Sequence, residues 1–216
     1  MKKRSRFFLI CFLLYSFCLL SFCGCGTPNV PSEETSVLST KSNTPIVEAS
    51  SNLLPNWHEE GTYIVGKDIP AGEYLIIAHD SENVEFTIFR NDADYFGNCI
   101  SYGDMGLLSY FTVMDGEKLV VGAGSFISSD SDFKVNLHSL ALDGMYKVGR
   151  DIEPGKYKIA SSAIASFGYY GIAVDSRHTL DSVITSDDFE GNVFIELTYG
   201  QYLIVKRALL FTAPIE

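Results

Sequence analysis

Residues that could act as nucleophiles or metal ligands are thinly spread along this sequence. The four histidines, His58, His79, His138 and His178, have no spacing typical of a metal site, and the run WHEEG lacks the second histidine of a helical zinc motif. No G-x-S-x-G motif, Walker loop or dinucleotide fingerprint occurs. The sequence therefore predicts a non-catalytic protein with no metal and no cofactor. A hydrolase is the remote alternative, which a cleft with two carboxylates or a serine–histidine pair would favour.

Three acidic stretches, residues 91–98, 128–132 and 185–192, contain carboxylates of the kind that bind calcium. None of them has the full ligand spacing of a known calcium loop. We interpret them as solvated turns, with calcium binding as the alternative.

Two aspartates stand in near-identical surroundings, Asp68 in KDIPAGE and Asp151 in RDIEPGK. Each stretch predicts a turn before a strand, with Gly72 and Gly155 supplying the conformational freedom that the turn needs. An aspartate beside a turn can accept hydrogen bonds from nearby backbone N–H groups. We therefore predict a structural role for these four residues, with metal binding or catalysis as the alternative for the aspartates.

Those stretches belong to a long internal repeat. GTYIVGKDIPAGEYLII, residues 61–77, is matched by GMYKVGRDIEPGKYKIA, residues 144–160, at an offset of 83. After one inserted residue the match continues at an offset of 84, where YFTVMDGEKLVV faces FIELTYGQYLIV. Two copies of about 80 residues are the unit of design. We call residues 61–140 copy one and residues 141–216 copy two.

The elements of each copy are predicted to be strands. Runs such as EYLIIA and VEFTIF are apolar and rich in β-branched and aromatic residues, and no helical period is sustained. Asp115-Gly116, with Tyr199-Gly200 in copy two, is placed for a tight hairpin turn. The predicted fold is all-β, with five or six antiparallel strands per copy in two tandem sandwich or open-barrel modules.

The repeated tyrosines, Tyr63, Tyr74, Tyr146 and Tyr157, suggest an aromatic platform for sugar. Strand parity argues otherwise, because Tyr74 shares a face with Ile76 and Tyr157 shares one with Ile159. We expect core tyrosines whose hydroxyl groups are satisfied at the edge of the core.

The opposite face of the same strand differs between the copies. Copy two has Lys156 and Lys158 there, whereas copy one continues through Leu75 to Ile77. An exposed apolar pair on a strand favours association. We expect Leu75 and Ile77 to be covered by copy two or by the N-terminal segment, as an interface.

The N-terminus has the features of an export signal over residues 1–24, with a basic start, an apolar run and a small-residue junction. The junction resembles the lipobox of bacterial lipoproteins, which implies that Cys25 receives a lipid and becomes the mature N-terminus. An uncleaved anchor and simple secretion are the alternatives. Three other cysteines lie in the signal, so Cys99 is the one cysteine of the folded part, expected as a small buried hydrophobe.

Residues 25–60 are rich in Ser, Thr, Pro and Glu and predict a disordered tether, of which the patch NLLPNW could dock on the folded part. Without the signal, 12 Lys and Arg face 27 Asp and Glu. Phosphate binding uses clustered basic residues, so the charge argues against nucleic acid as a partner.

The doubled motif G-x-Y-x-V-G-x-D-I-P-x-G-x-Y resembles a repeat of uncharacterised secreted and lipid-anchored proteins of Gram-positive bacteria. The resemblance implies a β module on the extracytoplasmic face of the membrane, and carries no catalytic residues. We expect a lipid-anchored binding or interaction module for a cell-wall polymer, a saccharide or a protein. The alternative is a structural accessory subunit of a cell-envelope complex.

Overall fold

The computed structural model describes residues 56–79, 83–93, 96–138 and 140–215, all within one compact unit. These ranges contain 15 strands and two 3-10 helices and no α-helix. In the described part of the chain, no helix has the length and apolar character needed to cross a bilayer.

Copy one contributes seven strands and one 3-10 helix. They are β1 (Gly61–Ile64), β2 (Gly72–Ile77), β3 (Val84–Phe89), the 3-10 helix Phe96–Asn98, β4 (Cys99–Met105), β5 (Leu108–Val113), β6 (Lys118–Ala123) and β7 (Ser125–Ser128). The remaining eight strands and the second 3-10 helix follow. They are β8 (Leu140–Ala141), β9 (Gly144–Lys147), β10 (Gly155–Ser161), β11 (Gly168–Ala173), the 3-10 helix Leu180–Ser182, β12 (Val183–Phe189), β13 (Asn192–Leu197), β14 (Tyr202–Lys206) and β15 (Ala208–Phe211).

The strands form four sheets, two for each copy. Sheet I has the order β1-β6-β3-β4 and sheet II the order β5-β2-β7. Sheet III, β9-β14-β11-β12, and sheet IV, β13-β10-β15-β8, repeat these orders in copy two. All pairings between these strands are antiparallel. The predicted all-β fold of two sandwich-like modules is confirmed, but the copies have seven and eight strands where five or six were predicted, since several strands are only two to four residues long.

The duplication extends upstream of Gly61. The backbones of His58 and Phe126 exchange two hydrogen bonds of 2.8 Å, which adds a short bridge to the free edge of β7. At the equivalent place in copy two, Ala141 of β8 pairs with Leu210 of β15. The last residues of the segment assigned to the tether therefore occupy the position of β8. Trp57 packs edge-on against Phe133 at 5.0 Å between ring centroids.

The turns predicted as hairpins at Asp115-Gly116 and Tyr199-Gly200 connect strands that belong to different sheets. The turn at Asp115-Gly116 is present, with Gly116 at a φ of 83°, but β5 pairs with β2 in sheet II while β6 pairs in sheet I. β1 and β2 likewise enter different sheets. A tight turn can connect the two layers of a sandwich as well as two neighbours in one layer, and the local sequence does not distinguish these cases.

One hydrophobic core includes residues of both copies. The expectation of core tyrosines is confirmed for Tyr74, Tyr146 and Tyr157, whereas Tyr63 is half-buried. Each of the four donates its hydroxyl hydrogen to the carbonyl oxygen four residues earlier. Tyr74, for example, is buried and donates to Pro70 at 2.8 Å. Buried tyrosine hydroxyls of this kind anchor the start of each copy and leave no free aromatic platform there.

The outer face of sheet II is buried. Leu75 is 0% exposed and Ile77 is nearly as enclosed. The segment that leaves β7 alternates half-buried and exposed residues from Asp132 to His138, and its apolar members pack against the core. Copy two also contacts this face, through hydrogen bonds to the neighbouring residues Glu73 and Tyr110.

Leu75→Lys tests whether this covered face stabilises the whole protein. Placing an ammonium group in a fully enclosed site should reduce the free energy of unfolding by about 3 kcal/mol or more. Lys158→Ala at the equivalent position of copy two is the matched control and should change it by less than about 0.5 kcal/mol. Denaturant unfolding measures both variants, and equal stabilities of Leu75→Lys and the parent would contradict the assignment.

Candidate interaction face and the buried contacts between the copies

Three consecutive residues of the loop after β11 hold copy two to copy one. The Ser176 hydroxyl donates to a Glu73 carboxylate oxygen at 3.0 Å. Arg177 makes two parallel hydrogen bonds of 2.8 and 2.7 Å to the carboxylate of Glu117, and a third to a backbone carbonyl. The His178 ring nitrogen Nε2 lies 2.6 Å from the carbonyl oxygen of Tyr110. We call residues 176–178 the clasp.

The clasp enters the interior of copy one. His178 packs edge-on against Phe86, a core residue of sheet I, at 5.2 Å between ring centroids. Burial lowers the pKa of His178, because the surroundings disfavour the charged imidazolium. The neutral ring donates its Nε2–H to the Tyr110 carbonyl. His178 also adopts a φ of 54°, a left-handed conformation that is uncommon outside glycine.

Glu73 joins sheet II to sheet III. Its carboxylate accepts hydrogen bonds from Lys147 at 2.5 Å, from the Tyr202 hydroxyl and from Ser176. Burial alone would raise the pKa of Glu73, but the bonds from Lys147 and Tyr202 outweigh it and the pKa is lowered. The ionised carboxylate is therefore the form that the contact between the copies stabilises.

The carboxylate of Asp151 also bonds across the contact between the copies. Its carboxylate accepts the Tyr110 hydroxyl at 2.8 Å and the backbone N–H of Lys147 at 2.8 Å. Burial raises the pKa of Asp151 despite these bonds. In copy one, Asp68 accepts the backbone N–H of Ile64 at 2.8 Å in the same way, with no counterpart of the Tyr110 bond described.

The other predicted structural residues lie near these turns. The hydrogen-bonded turn is at Gly66 to Asp68, a few residues earlier than the sequence suggested, and Gly66 has a φ of 86°. Gly72 and Gly155 are the first residues of β2 and β10. Cys25 lies outside the described residues. Cys99 begins β4 and is half-buried.

The outer face of sheet IV is the counterpart of the buried outer face of sheet II. Phe194 is paired with Lys158, and Phe211 with Leu140, so these residues form one row across the sheet. The two ends of the row are exposed, Phe194 at 65% and Leu140 at 40%, and the residues between them, Lys158 and Phe211, are half-buried. The equivalent row in sheet II, Tyr110, Leu75 and Ile127, is at most 3% accessible. We call the outer face of sheet IV the docking face.

Basic and apolar groups alternate on the docking face. The Lys158 ammonium lies over the Phe211 ring at 4.8 Å from the centroid, a cation–π contact. The exposed Lys156 lies opposite Glu196 in the strand register on one side, and its backbone forms a bridge to Ile215 on the other. Such a surface resembles the core and rim of a protein interface more than an ordinary solvated sheet.

A serine–histidine pair does occur in copy one. Ser125 Oγ lies 2.5 Å from His79 Nε2 and donates to the Glu59 carboxylate at 2.7 Å. The carboxylate is thus bonded to the serine and not to the far nitrogen of the imidazole, which differs from the order of a catalytic triad. This cluster does not line the cavity beside Leu108 and Tyr146 or the one beside Phe167 and Arg207.

The interpretation of residues 185–192 as a solvated turn is wrong for most of them, because Thr185 to Phe189 belong to strand β12. Among the residues that the structure places, no group of three or more His, Cys, Asp or Glu side chains could hold a metal ion.

The clasp and the docking face were not predicted from the sequence. A comparison of aligned positions in the two copies points to both. At the offset of 84, the clasp aligns with Asp92, Ala93 and Asp94 of copy one, so it is specific to copy two. The same offset aligns Phe194 with Tyr110. Positions that differ between duplicated modules mark the contacts that only one of them makes.

Comparison of the chain with family models, with curated proteins and with solved structures gives no match.

Glu73→Gln should weaken the protein in a pH-dependent way. Because the folded-state pKa of Glu73 is lowered, its stabilising contribution is present above the unfolded value of 4.5 and is lost as the pH falls through the folded value. We expect the variant to lose about 2 kcal/mol of unfolding free energy at pH 7, and the difference from the parent to shrink towards pH 3. Chemical unfolding from pH 7 to pH 3 measures this.

The exposed Glu196→Gln is the control and should stay within about 0.5 kcal/mol of the parent. A Glu73→Gln difference that remained constant down to pH 3 would contradict the role given to the carboxylate.

Proposed function

We propose that this chain is a lipid-anchored, non-catalytic interaction module that binds a protein of the cell envelope through the docking face. The contrast between the two equivalent faces carries the proposal. In copy one this face is buried by the rest of the molecule, whereas in copy two Phe194 and Leu140 stand exposed beside lysines. Exposed apolar surface of this kind marks interaction sites on soluble proteins.

The composition of the docking face favours a protein over a small ligand. A small-molecule site is concave and encloses its ligand. The docking face is one side of a four-stranded sheet. Aromatic residues beside basic residues, as Phe194 and Phe211 flank Lys158 here, are common in the interfaces that proteins form with each other.

Lipidation of Cys25 and a position on the extracytoplasmic face of the membrane complete the proposal. Their support is the signal-like N-terminus, with basic residues followed by an apolar run and a cysteine after Gly24. An anchor would restrict the protein to the plane of the membrane, where a modest docking affinity suffices for binding.

A structural accessory subunit of an envelope complex is the second candidate, favoured by the apolar character of the same face. The two functions differ in what contacts the docking face. A permanent subunit would bind one membrane protein in nearly all copies of the chain, whereas a recognition module would bind its partner in part of them.

Photo-crosslinking at the docking face tests the proposal. With p-benzoylphenylalanine in place of Phe194 in the full chain in its own cells, we expect a discrete adduct with another protein, found in the membrane fraction. The matched control is the same replacement of Tyr102, which is 69% exposed on the outer face of sheet I. The same adducts from both positions, or no adduct from position 194, would contradict the proposal.

In the same experiment, mass spectrometry of the N-terminal peptide should find a covalently bound lipid on Cys25 of the parent and none in Cys25→Ser. A parent chain without this lipid would contradict the lipid anchor while leaving the docking face untouched.

A further inference from the structure

We infer that the partner of the docking face is a different protein that presents carboxylates beside apolar side chains. The inference rests on the proposed function and adds the chemistry of the partner. It follows from comparing the groups at equivalent positions of sheets II and IV.

The charge at the contact is inverted between the copies. In sheet II, Glu73 is an acid and is met by the ammonium group of Lys147. In sheet IV, Lys156 occupies the position of Glu73, and Lys158 occupies that of Leu75. A surface that buries these two lysines must supply the opposite charge, because an unpaired buried ammonium group is strongly unfavourable. Carboxylates are the groups in proteins that do so.

Both lysines are available for such a contact. Neither takes part in the ion pairs described for the chain. Lys158 rests on the Phe211 ring, a contact that leaves its N–H donors free to meet an acceptor from outside the sheet. The apolar residues of the row, Phe194 on one side of Lys158 and Phe211 with Leu140 on the other, then provide the apolar part of the interface.

A second copy bound head to tail does not fit the docking face. The surface that copy two offers to sheet II includes Tyr202, which bonds to Glu73. On the equivalent surface of copy one, Lys118 stands at the position of Tyr202. A head-to-tail contact would therefore place Lys118 against Lys156. In addition, Lys118 is only 3% exposed and donates to the Asp92 carbonyl, so this position of copy one is already enclosed.

A second copy bound face to face is also unfavourable. Lys158 lies in the middle of β10, an inner strand of sheet IV. A two-fold axis through the middle of the docking face would bring the two Lys158 side chains together. Like charges in a desolvated contact cost binding free energy. These two exclusions leave a foreign acidic surface as the occupant.

Charge reversal combined with crosslinking tests the inference. In the chain carrying p-benzoylphenylalanine at position 194, the pair Lys156→Glu and Lys158→Glu should reduce the adduct by about tenfold or more. The pair Lys156→Arg and Lys158→Arg keeps the charge and should retain the adduct to within about threefold. Lys156 is exposed and Lys158 half-buried, so unfolding curves of each purified variant are needed to verify that both pairs stay folded.

Zero-length carbodiimide coupling identifies the groups directly. It joins an amine to a carboxylate already in contact, so mass spectrometry of the coupled complex should find Lys156 or Lys158 bonded to Asp or Glu of the partner. Coupling that involves neither lysine would overturn the inference.

The outcomes separate this inference from the proposed function. No adduct from position 194 in the parent removes both. If the adduct persists in the Lys156→Glu, Lys158→Glu variant, the docking face stands as the binding site, but the inference of an acidic partner is wrong. An adduct of twice the mass of the chain, containing its peptides alone, identifies a second copy and overturns it as well.

Discussion

The buried outer face of sheet II is the constraint on which the rest of the structure depends. Leu75 and its neighbours are apolar on a side of the strand that an isolated sandwich would expose to water. Copy two completes the cover of this face together with the segment from Asp132 to His138, and the clasp adds directional hydrogen bonds that fix how the two copies are oriented. Arg177 and Glu117 contribute the most directional of these, since a guanidinium and a carboxylate fit in one relative orientation.

Duplication of a two-sheet module creates one inner interface, between sheets II and III, and two outer faces, on sheets I and IV. The residues of these three surfaces have diverged. The inner interface holds the acid Glu73, the cation Lys147 and the clasp. The outer face of sheet I carries the exposed Tyr102 and the buried Lys118, which donates to the Asp92 carbonyl. The outer face of sheet IV instead presents the exposed apolar residues Phe194 and Leu140 together with two lysines. In repeat proteins the terminal faces are usually polar, to end the stack. Sheet IV departs from that rule, which is why its outer face is the place to look for function.

The sequence was sufficient to predict the strands, the duplication and the inward tyrosines, because these depend on local pattern and on comparing the copies. It did not predict the crossing turns, since Asp115-Gly116 suits a hairpin and a sandwich corner equally. The clasp was missed for a different reason. Ser176, Arg177 and His178 are ordinary loop residues until the fold brings Glu73, Glu117 and Tyr110 to them from more than 50 positions away.

Native-state hydrogen exchange tests the central claim, that the two copies are one cooperative unit. The slowest amides of β2 in copy one and of β14 in copy two should open with free energies within about 1 kcal/mol of each other, and Arg177→Ala should lower both together. Slow amides in β2 that keep their protection when those of β14 lose theirs would show that copy one is stable without copy two. That result would contradict the account.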